Sequence, residues 1–342
     1  MDKVAIAILN WNGSELLEEF LPSVVKYSQL SGISIYVIDN GSNDDSVIFL
    51  QTNFPSVKLI LLDKNYGFAE GYNRGLEQIK AKYFILLNSD VEVTEGWIQP
   101  MISLLDANEN IAVCQPKIKS YINRNKFEYA GAAGGFIDKY GFAFCRGRLF
   151  NIYETDNGQY NTVSDIFWAT GACLFIRSEL YRYTGGLDND FFAHMEEIDL
   201  CWRLLSRGYR IVYEPASEVF HLGGGTLNKI NPHKTFLNFR NNLFLLYKNL
   251  PDDKLDKLLL ARLVIDGIAA FKFVFSLEFL NFWAVIKAHY QFNVSIKKFR
   301  KKRLNNLKEM KIKEHLTMYN KSIVIDFFVH KKKYFNELPF KP

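Results

Sequence analysis

Val4-Ala5-Ile6-Ala7-Ile8-Leu9-Asn10-Trp11-Asn12-Gly13, residues 4–13, is the stretch whose reading decides the fold. Six apolar residues without a polar break suit a strand covered on both faces, as in a parallel sheet. The run stops at Asn10, and Asn12-Gly13 supplies turn chemistry. Beyond the turn, Leu16, Leu17, Phe20, Leu21 and Val24 recur at helical spacing. Three more apolar runs follow: residues 33–38 ending at Asp39, 57–62 ending at Asp63, and 83–87 ending at Asn88 and Asp90. Helical patterns separate the runs, so the chain reads as βαβ units building a mixed α/β domain with a largely parallel sheet. Polar residues gather just past the carboxyl ends of the strands, where open α/β sheets bind ligands.

From about 116 to 170 the pattern weakens into Gly-, Asn- and Tyr-rich segments, read as short strands and loops forming one side of a cleft. Order returns over 167–176, and a helix opens near Glu197. Ile198, Cys201, Trp202 and Leu205 give it an apolar stripe, and Gly208 a stop. Strand signals at 210–213 and 219–222 flank Pro215, and Gly223 to Gly225 follow. After about 230 the chain reads as helical, which divides it into a catalytic part, 1–228, and an extension, 229–342.

The 342 residues bury a sizeable core. Cys114, Cys145, Cys173 and Cys201 lie far apart with no C-x-x-C pair, so they read as reduced core thiols and not as a zinc or disulfide framework. The chain starts straight into a strand-like run, which leaves no room for a signal peptide and predicts a cytoplasmic protein. Charge is unevenly spread: residues 1–250 carry 23 Lys+Arg and 28 Asp+Glu, residues 251–342 carry 19 and 9. An acidic front half argues against a nucleic-acid-binding core, and the basic tail points to an anionic surface. Residues 258–292 are rich in Leu, Phe and Val, but Arg262, Asp266, Lys272, Glu278 and Lys287 interrupt them. At ~2.5–3.5 kcal/mol per charge at a bilayer centre, a spanning helix is excluded and a surface-lying amphipathic helix is predicted. Residues 297–303 add six basic side chains in seven. The rival reading packs this segment on the catalytic part or on a second copy in a homodimer.

Four clusters have the makings of a site. Asp39-Asn40-Gly41-Ser42-Asn43-Asp44 offers strand-end carboxylates for a nucleobase or ribose, although the same residues are ordinary turn formers. Gly67, Gly71 and Gly75 stack on one helical face, for ligand approach or for helix–sheet packing. They match neither G-x-G-x-x-G nor the P-loop, which removes the main support for dehydrogenase and ATPase readings. Asn88-Ser89-Asp90 can hold a hard divalent cation, and His221 can add a nitrogen ligand that would favour Mn²⁺ over Mg²⁺, if it is not simply structural. Glu196, Glu197 and Asp199 crowd a helix start, which either complements the macrodipole or raises one carboxyl into the range of a general base.

Taken in order, these stretches resemble family 2 glycosyltransferases, the inverting enzymes of the GT-A fold. The matching segments are I-L-N-W-N-G (8–13), V-I-D-N-G-S-N-D-D-S (37–46), N-Y-G-F-A-E-G-Y-N-R-G (65–75), L-L-N-S-D-V (86–91), W-A-T-G-A-C-L-F-I-R (168–177), G-G-L-D (185–188), M-E-E-I-D-L-C-W-R (195–203) and V-F-H-L-G-G-G-T (219–226). Together they cover roughly residues 3–245 and look most like the bacterial rhamnosyltransferase-like branch. The resemblance implies a dTDP- or UDP-linked sugar donor and a saccharide or lipid-linked acceptor of surface polysaccharide synthesis. Asp39 would hold the base, with Asn10, Asn12, Ser42, Asp44, Gly67, Asn73, Asn88 and Ser89 around the nucleotide. Asp90 matches the last Asp of the family's D-x-D and, with His221, would bind a divalent cation, Mn²⁺ or Mg²⁺. Glu197 falls where the family places its catalytic base, with Glu196 and Asp199 as alternatives, and Arg240 would help neutralise the leaving diphosphate. Asn88 departs from D-x-D, and Glu197 is one methylene longer than the usual Asp. A nucleotidyltransferase shares strand-end carboxylates but needs a basic glycine-rich loop after strand one, which Asn10 to Gly13 is not. A non-catalytic sugar- or lipid-binding scaffold would lack one of the carboxylates, and all are present.

Overall fold

The computed structural model describes residues 2–223 and 231–342. Gly224 to Thr226 of the glycine run, and the 228/229 boundary, lie outside the described residues. The apolar runs are strands: β1 (Asp2–Asn10), β2 (Ile33–Asp39), β3 (Lys58–Leu61) and β4 (Ala81–Asn88), with helices α1 (Ser14–Tyr27), α2 (Ser46–Asn53) and α3 (Gly67–Glu77) between them. All four strands run parallel. Next come β5 (Val91–Val93), α4 (Gln99–Ala107) and β6 (Ile111–Ser120).

The strand β1 shows why a continuous apolar run was the right signal. Val4, Ile6 and Ile8 enter a core with Leu17, Leu21 and Val24 of α1 and Met101 of α4. Ala5 and Ala7 enter the opposite core, where α3 packs. Small residues on that face let the helix approach closely, and α3 answers with glycine. A Cβ on Gly75 would sit 2.3 Å from Ile38 Cδ1, and one on Gly71 3.0 Å from Asn40 Nδ2. The glycine spacing therefore serves helix–sheet packing at both positions.

A small second sheet follows: β7 (Gly135–Asp138), β8 (Ala143–Cys145), β9 (Arg148–Leu149) and β10 (Ile152–Tyr153). The chain then returns to the main sheet through β11 (Ser164–Asp165) and β12 (Cys173–Arg177), and continues into α5 (Ser178–Tyr183), α6 (Glu196–Ser206) and β13 (Arg210–His221). The main sheet order is β11-β13-β6-β12-β4-β1-β2-β3, with β5 beside β13. It is mixed, because β12 runs antiparallel to both β4 and β6. The two strand signals around Pro215 are one strand, β13, irregular between Glu214 and Glu218, where Pro215 has no N–H for the ladder.

The extension is helical as expected: α7 (Pro232–Asn249), α8 (Asp252–Phe275) and α9 (Phe279–Glu309), then β14 (Met318–Tyr319) and α10 (Ile323–Phe328). It is not a separate packing unit. The strand β14 pairs with β7, Asp138 Oδ2 accepts from Ile323 N at 3.0 Å, and Phe335 and Phe340 stack on Phe136. Phe244, Phe292, Phe299 and Tyr319 share one apolar core with Ala5 and Leu86. Residues 258–292 also form no single helix, since the chain turns at Ser276–Leu277–Glu278 between α8 and α9. Among the described residues, no helix is long and apolar enough to cross a membrane. All four cysteines are buried and unpaired.

Candidate active site

Parallel register lines up the carboxyl ends of β1, β2 and β4: Asn10 pairs with Asp39, and Leu9 with Asn88. This puts Asn10, Asp39 and Asn88 in one row. Asn10 Nδ2 donates to Asp39 Oδ2 at 3.1 Å and to Ser42 Oγ at 3.3 Å, and Ser42 N donates to Asp39 Oδ1 at 3.0 Å. Asn12, left-handed at φ 49°, closes the loop: its N–H reaches Ser42 Oγ at 2.9 Å and its Oδ1 accepts from Asn43 N at 2.8 Å. Asn10 Oδ1 is buried without a partner, and a Cβ on Gly13 would stand 2.6 Å from it. Ser89 Oγ faces the same glycine from β4. A buried acceptor left open beside a glycine is the kind of cradle that ligand donors complete.

Next to this row, Asp90 Oδ1 lies 3.2 Å from His221 Nε2, and the other ring nitrogen, Nδ1, lies 3.2 Å from Glu128 Oε2 without good hydrogen-bond alignment. Burial alone would discharge the imidazole, but the two carboxylates carry it up to about 10. Burial likewise pushes the Asp90 carboxyl up, and His221 more than offsets this, holding it below its ordinary value. A carboxylate and an imidazole at a strand end, with a second carboxylate behind the ring, suit a borderline divalent cation, which would have to displace the Nε2 proton that the two carboxylates otherwise hold on the ring. No three His, Cys, Asp or Glu side chains among the described residues are spaced as a metal cage. The protein would thus supply two ligands, leaving the remaining positions to phosphate oxygens and water.

On the other side, three of the four residues of loop 192–195, none of them glycine, are forced left-handed: Phe192 (φ 66°), His194 (φ 70°) and Met195 (φ 75°). Each costs of order 1 kcal/mol or more, so the surroundings must hold them. Asn241 of α7 does so, its Nδ2 facing the carbonyls of Phe191, Ala193 and His194 at 2.8–2.9 Å. Glu196 and Glu197 follow at the start of α6, and one carboxylate oxygen of each is buried with no partner among the described residues. Burial pushes Glu197 up to about 7, and burial with the neighbouring Glu197 charge pushes Glu196 well above the carboxylate range. The third acid of the cluster meets the opposite fate. Asp199 accepts from Lys248 Nζ and Arg203 Nε, each at 2.8 Å, and from Asn249 Nδ2 at 2.9 Å. Burial would raise it, but Lys248 and Arg203 hold it down. Of the three acids expected at this helix start, Asp199 is thus the one engaged by two cations and an amide.

Four expected nucleotide ligands are engaged elsewhere. Asp44 accepts from Ser14 N and Ser46 N, joining the starts of α1 and α2. Asn73 spends both ends of its amide on Leu187 and accepts from Tyr181 Oη at 2.6 Å. The Gly67 position, left-handed at φ 78°, lies against the Phe192 ring, where a Cβ would come within 3.0 Å. Arg240 directs Nε and Nη2 onto Asn241 Oδ1, with Nη2 also on the Phe191 carbonyl. These are bracing residues of the site walls. Conversely, Glu128, His194 and Asn241 line the candidate site without a signal having been read for them, and Asn40, quoted within its cluster, had been given no part. Asn40 ties the second loop to α3 through Asn65, Tyr66 and Gly67. His194 leaves Nε2 buried and unpartnered, and burial lowers its ring to about 4, so it stays neutral. Adjacency in the motif H-M-E-E was a usable signal for His194; Glu128 and Asn241 gave none.

Comparison with known proteins bears on the family and the fold. The N-acetylglucosaminyl-diphospho-decaprenol L-rhamnosyltransferase of Mycobacterium tuberculosis is 24% identical over 238 residues, covering 64% of this chain and 76% of that protein. The crystal structure of S. aureus TarS 1–349 with UDP-GlcNAc superposes with TM-score 0.56 at 14% identity, covering 89% of each chain. That of GalNAc-T7 with UDP, GalNAc and Mn²⁺ gives TM-score 0.57 at 18% identity over 74% of this chain, which spans about half (49%) of that one. Residues 5–185 match glycosyl transferase family 2, and with its strand-end site on a GT-A sheet the chain belongs to that family.

Proposed function

We propose that the protein is a metal-dependent, inverting glycosyltransferase. It would move a sugar from a nucleotide-diphosphate donor, dTDP- or UDP-linked, to a saccharide or lipid-linked acceptor of bacterial surface polysaccharide. The observation that carries the proposal is the Glu196–Glu197 pair, each with a carboxylate oxygen buried and without a partner among the described residues. Glu197 is reached by the backbone of Gly171, next to Ala172, whose carbonyl accepts from Asn88 N at the strand end. A carboxyl near 7 is divided between its two forms at neutral pH, which suits a general base. In the reaction Glu197 takes the proton of the acceptor hydroxyl, whose oxygen bonds to the anomeric carbon as the bond to the diphosphate breaks. Glu196, held protonated by burial, neither competes for the proton nor repels the Glu197 anion. The donor's base and ribose would meet Asp39, Asn10 and Ser42. A divalent cation on Asp90 and His221 would neutralise the departing diphosphate. The decaprenol-linked acceptor in the name of the mycobacterial relative supports a lipid-linked acceptor, and its rhamnosyl transfer supports a deoxyhexose donor.

The test is release of nucleoside diphosphate from a panel of nucleotide sugars, with acceptor, in Mn²⁺ and in chelator. One donor should be turned over, chelation should stop it, and Asp90→Ala should lower turnover by ~10²-fold or more with the fold intact. Full activity of Asp90→Ala in chelator would overturn the metal assignment, and turnover of no donor with any acceptor would overturn the transferase reading.

A further inference from the structure

Helices α8 and α9 form a hairpin whose outward faces are apolar towards the turn. On α8, Leu260, Val264, Ile268, Phe271 and Phe275 are exposed at spacings of three and four, a stripe less than a quarter-turn wide. On α9, Leu280, Trp283, Tyr290 and Val294 make a second stripe. The stripes meet at the turn, where Phe275, Leu277 and Leu280 are 85%, 77% and 72% exposed. Single exposed apolar residues are ordinary, but a concentration at one tip marks an interaction surface.

Charge identifies what covers it. From Phe279 to Lys308 there is no Asp or Glu. The α9 face that is apolar from 280 to 294, apart from the exposed Lys287, continues as Lys297 and Lys301, both exposed, with Arg300 beside them. Asp266 of α8 is spent on its buried ion pair with Arg262 and on His289, which leaves Glu278, bonded to Asn281 Nδ2 at the turn, as a single carboxylate against the several exposed cations. Two copies meeting isologously through this face would press cation against cation. An anionic bilayer presents the complement, with phosphates for the basic end and acyl chains for the tip. The structure also narrows the basic run predicted as a lipid-binding cluster. Lys298 and Lys302 pair inward with Asp190, Lys302 also with Asp188, and Arg303 binds the Tyr247 and Leu250 carbonyls. Only Lys297, Arg300 and Lys301 remain for a surface.

We propose that the α8–α9 tip docks the protein on an anionic lipid surface, inserting Phe275, Leu280 and Trp283 with Lys297, Arg300 and Lys301 at the headgroups. The tip lies at the end of α7 that reaches the catalytic loop: Thr235 Oγ1 donates to Asn281 Oδ1 at 2.9 Å, and Asn241, about 9 Å further along the helix axis, clamps loop 192–195. A bilayer at the tip would therefore stand beside the candidate site. The proposal does not depend on the sugar-transfer reading, and its test involves no turnover.

Flotation of the full chain with vesicles tests it, comparing phosphatidylcholine alone with phosphatidylcholine containing about one-third phosphatidylglycerol. Partition into the anionic vesicles should exceed that into neutral ones by roughly tenfold and weaken at ~1 M salt. The combined Phe275→Ser, Leu280→Ser and Trp283→Ser variant should lose it. Neutralising Lys297, Arg300 and Lys301 to Gln should reduce it several-fold. In the unaltered protein, lipids brominated on the acyl chain should quench a fluorescence component that is absent from Trp283→Phe, which keeps the proposal testable should the triple variant fold poorly. No partition into anionic vesicles, no Trp283-dependent quenching, or equal flotation of a folded triple variant would overturn it. So would a lipid-free dimer in sedimentation velocity that the apolar substitutions dissociate, since the face would then belong to a second copy.

Discussion

Two acidic clusters around the start of α6 carry the same chemistry to opposite ends. Glu196 and Glu197 each bury a carboxylate oxygen with no partner among the described residues, and burial drives both carboxyls up. Asp188, Asp190 and Asp199 are enclosed by Lys248, Lys298, Lys302 and Arg203, and all three are held below their ordinary values in spite of burial. Burial is common to the two clusters, so the difference lies in the cations. Where a neighbouring element delivers lysine or arginine, the carboxylate becomes a brace; where it delivers none, the carboxylate is left with a proton to exchange. The braced cluster also fixes the reactive one, because Arg203 binds the Thr184 and Gly186 carbonyls and Lys248 joins Asp188 to Asp199.

The sharpest way to break the comparison is to treat both clusters alike. Glu197→Gln keeps the shape and removes the proton acceptor, so kcat should fall ~10²–10⁴-fold with donor affinity within about twofold. Near-normal turnover of Glu197→Gln with a dead Glu196→Gln would transfer the role to Glu196.

Asp199→Asn should act on stability instead. It leaves Lys248 and Arg203 short of a buried carboxylate, an effect of about 3 kcal/mol in denaturant unfolding, while the fraction that folds keeps measurable turnover. A stable but inactive Asp199→Asn would put Asp199 in the chemistry after all.

Asn241→Leu removes the donors that hold loop 192–195. About tenfold is expected off kcat, together with a displaced pH profile, because the environment of Glu197 is set by that loop. A loss of stability with an unchanged pH profile would make Asn241 a plain core residue.

The smallest effect is a pH-dependent one. The Glu197 carboxyl is raised in the folded state, so the folded protein binds more protons than the unfolded chain between about 4.5 and 7, and stability falls as pH rises through that window. Glu197→Gln should therefore match the unaltered protein near pH 4 and be more stable above pH 7, on the order of 1–3 kcal/mol. Activity has the opposite slope, since the base works ionised and turnover should rise through an apparent value near 7. Equal stability of the two proteins across the range would mean that Glu197 carries an unnoticed partner.

Much of the fold was open to sequence reasoning for a local reason. Strand runs, helical spacing and strand-end polar residues are short-range patterns, and parallel register then brings Asn10, Asp39 and Asn88 side by side without further information. The reading was weakest where long-range pairing sets the structure: β12 joins antiparallel, β13 passes straight through Pro215, and β14 ties the extension to β7.

The sequence by itself determined the α/β sheet, the order of its motifs and which acidic residues compete for the base. Only the tertiary structure gives those acids different surroundings. Lys248, which neutralises Asp199, lies 49 residues further along the chain, and nothing near Glu196 or Glu197 in sequence announces that no such cation reaches them among the described residues. Periodicity is written in neighbours along the chain. A carboxyl's proton affinity is fixed by neighbours in space, through desolvation and Coulomb interactions that act over a few ångströms whatever the separation in sequence.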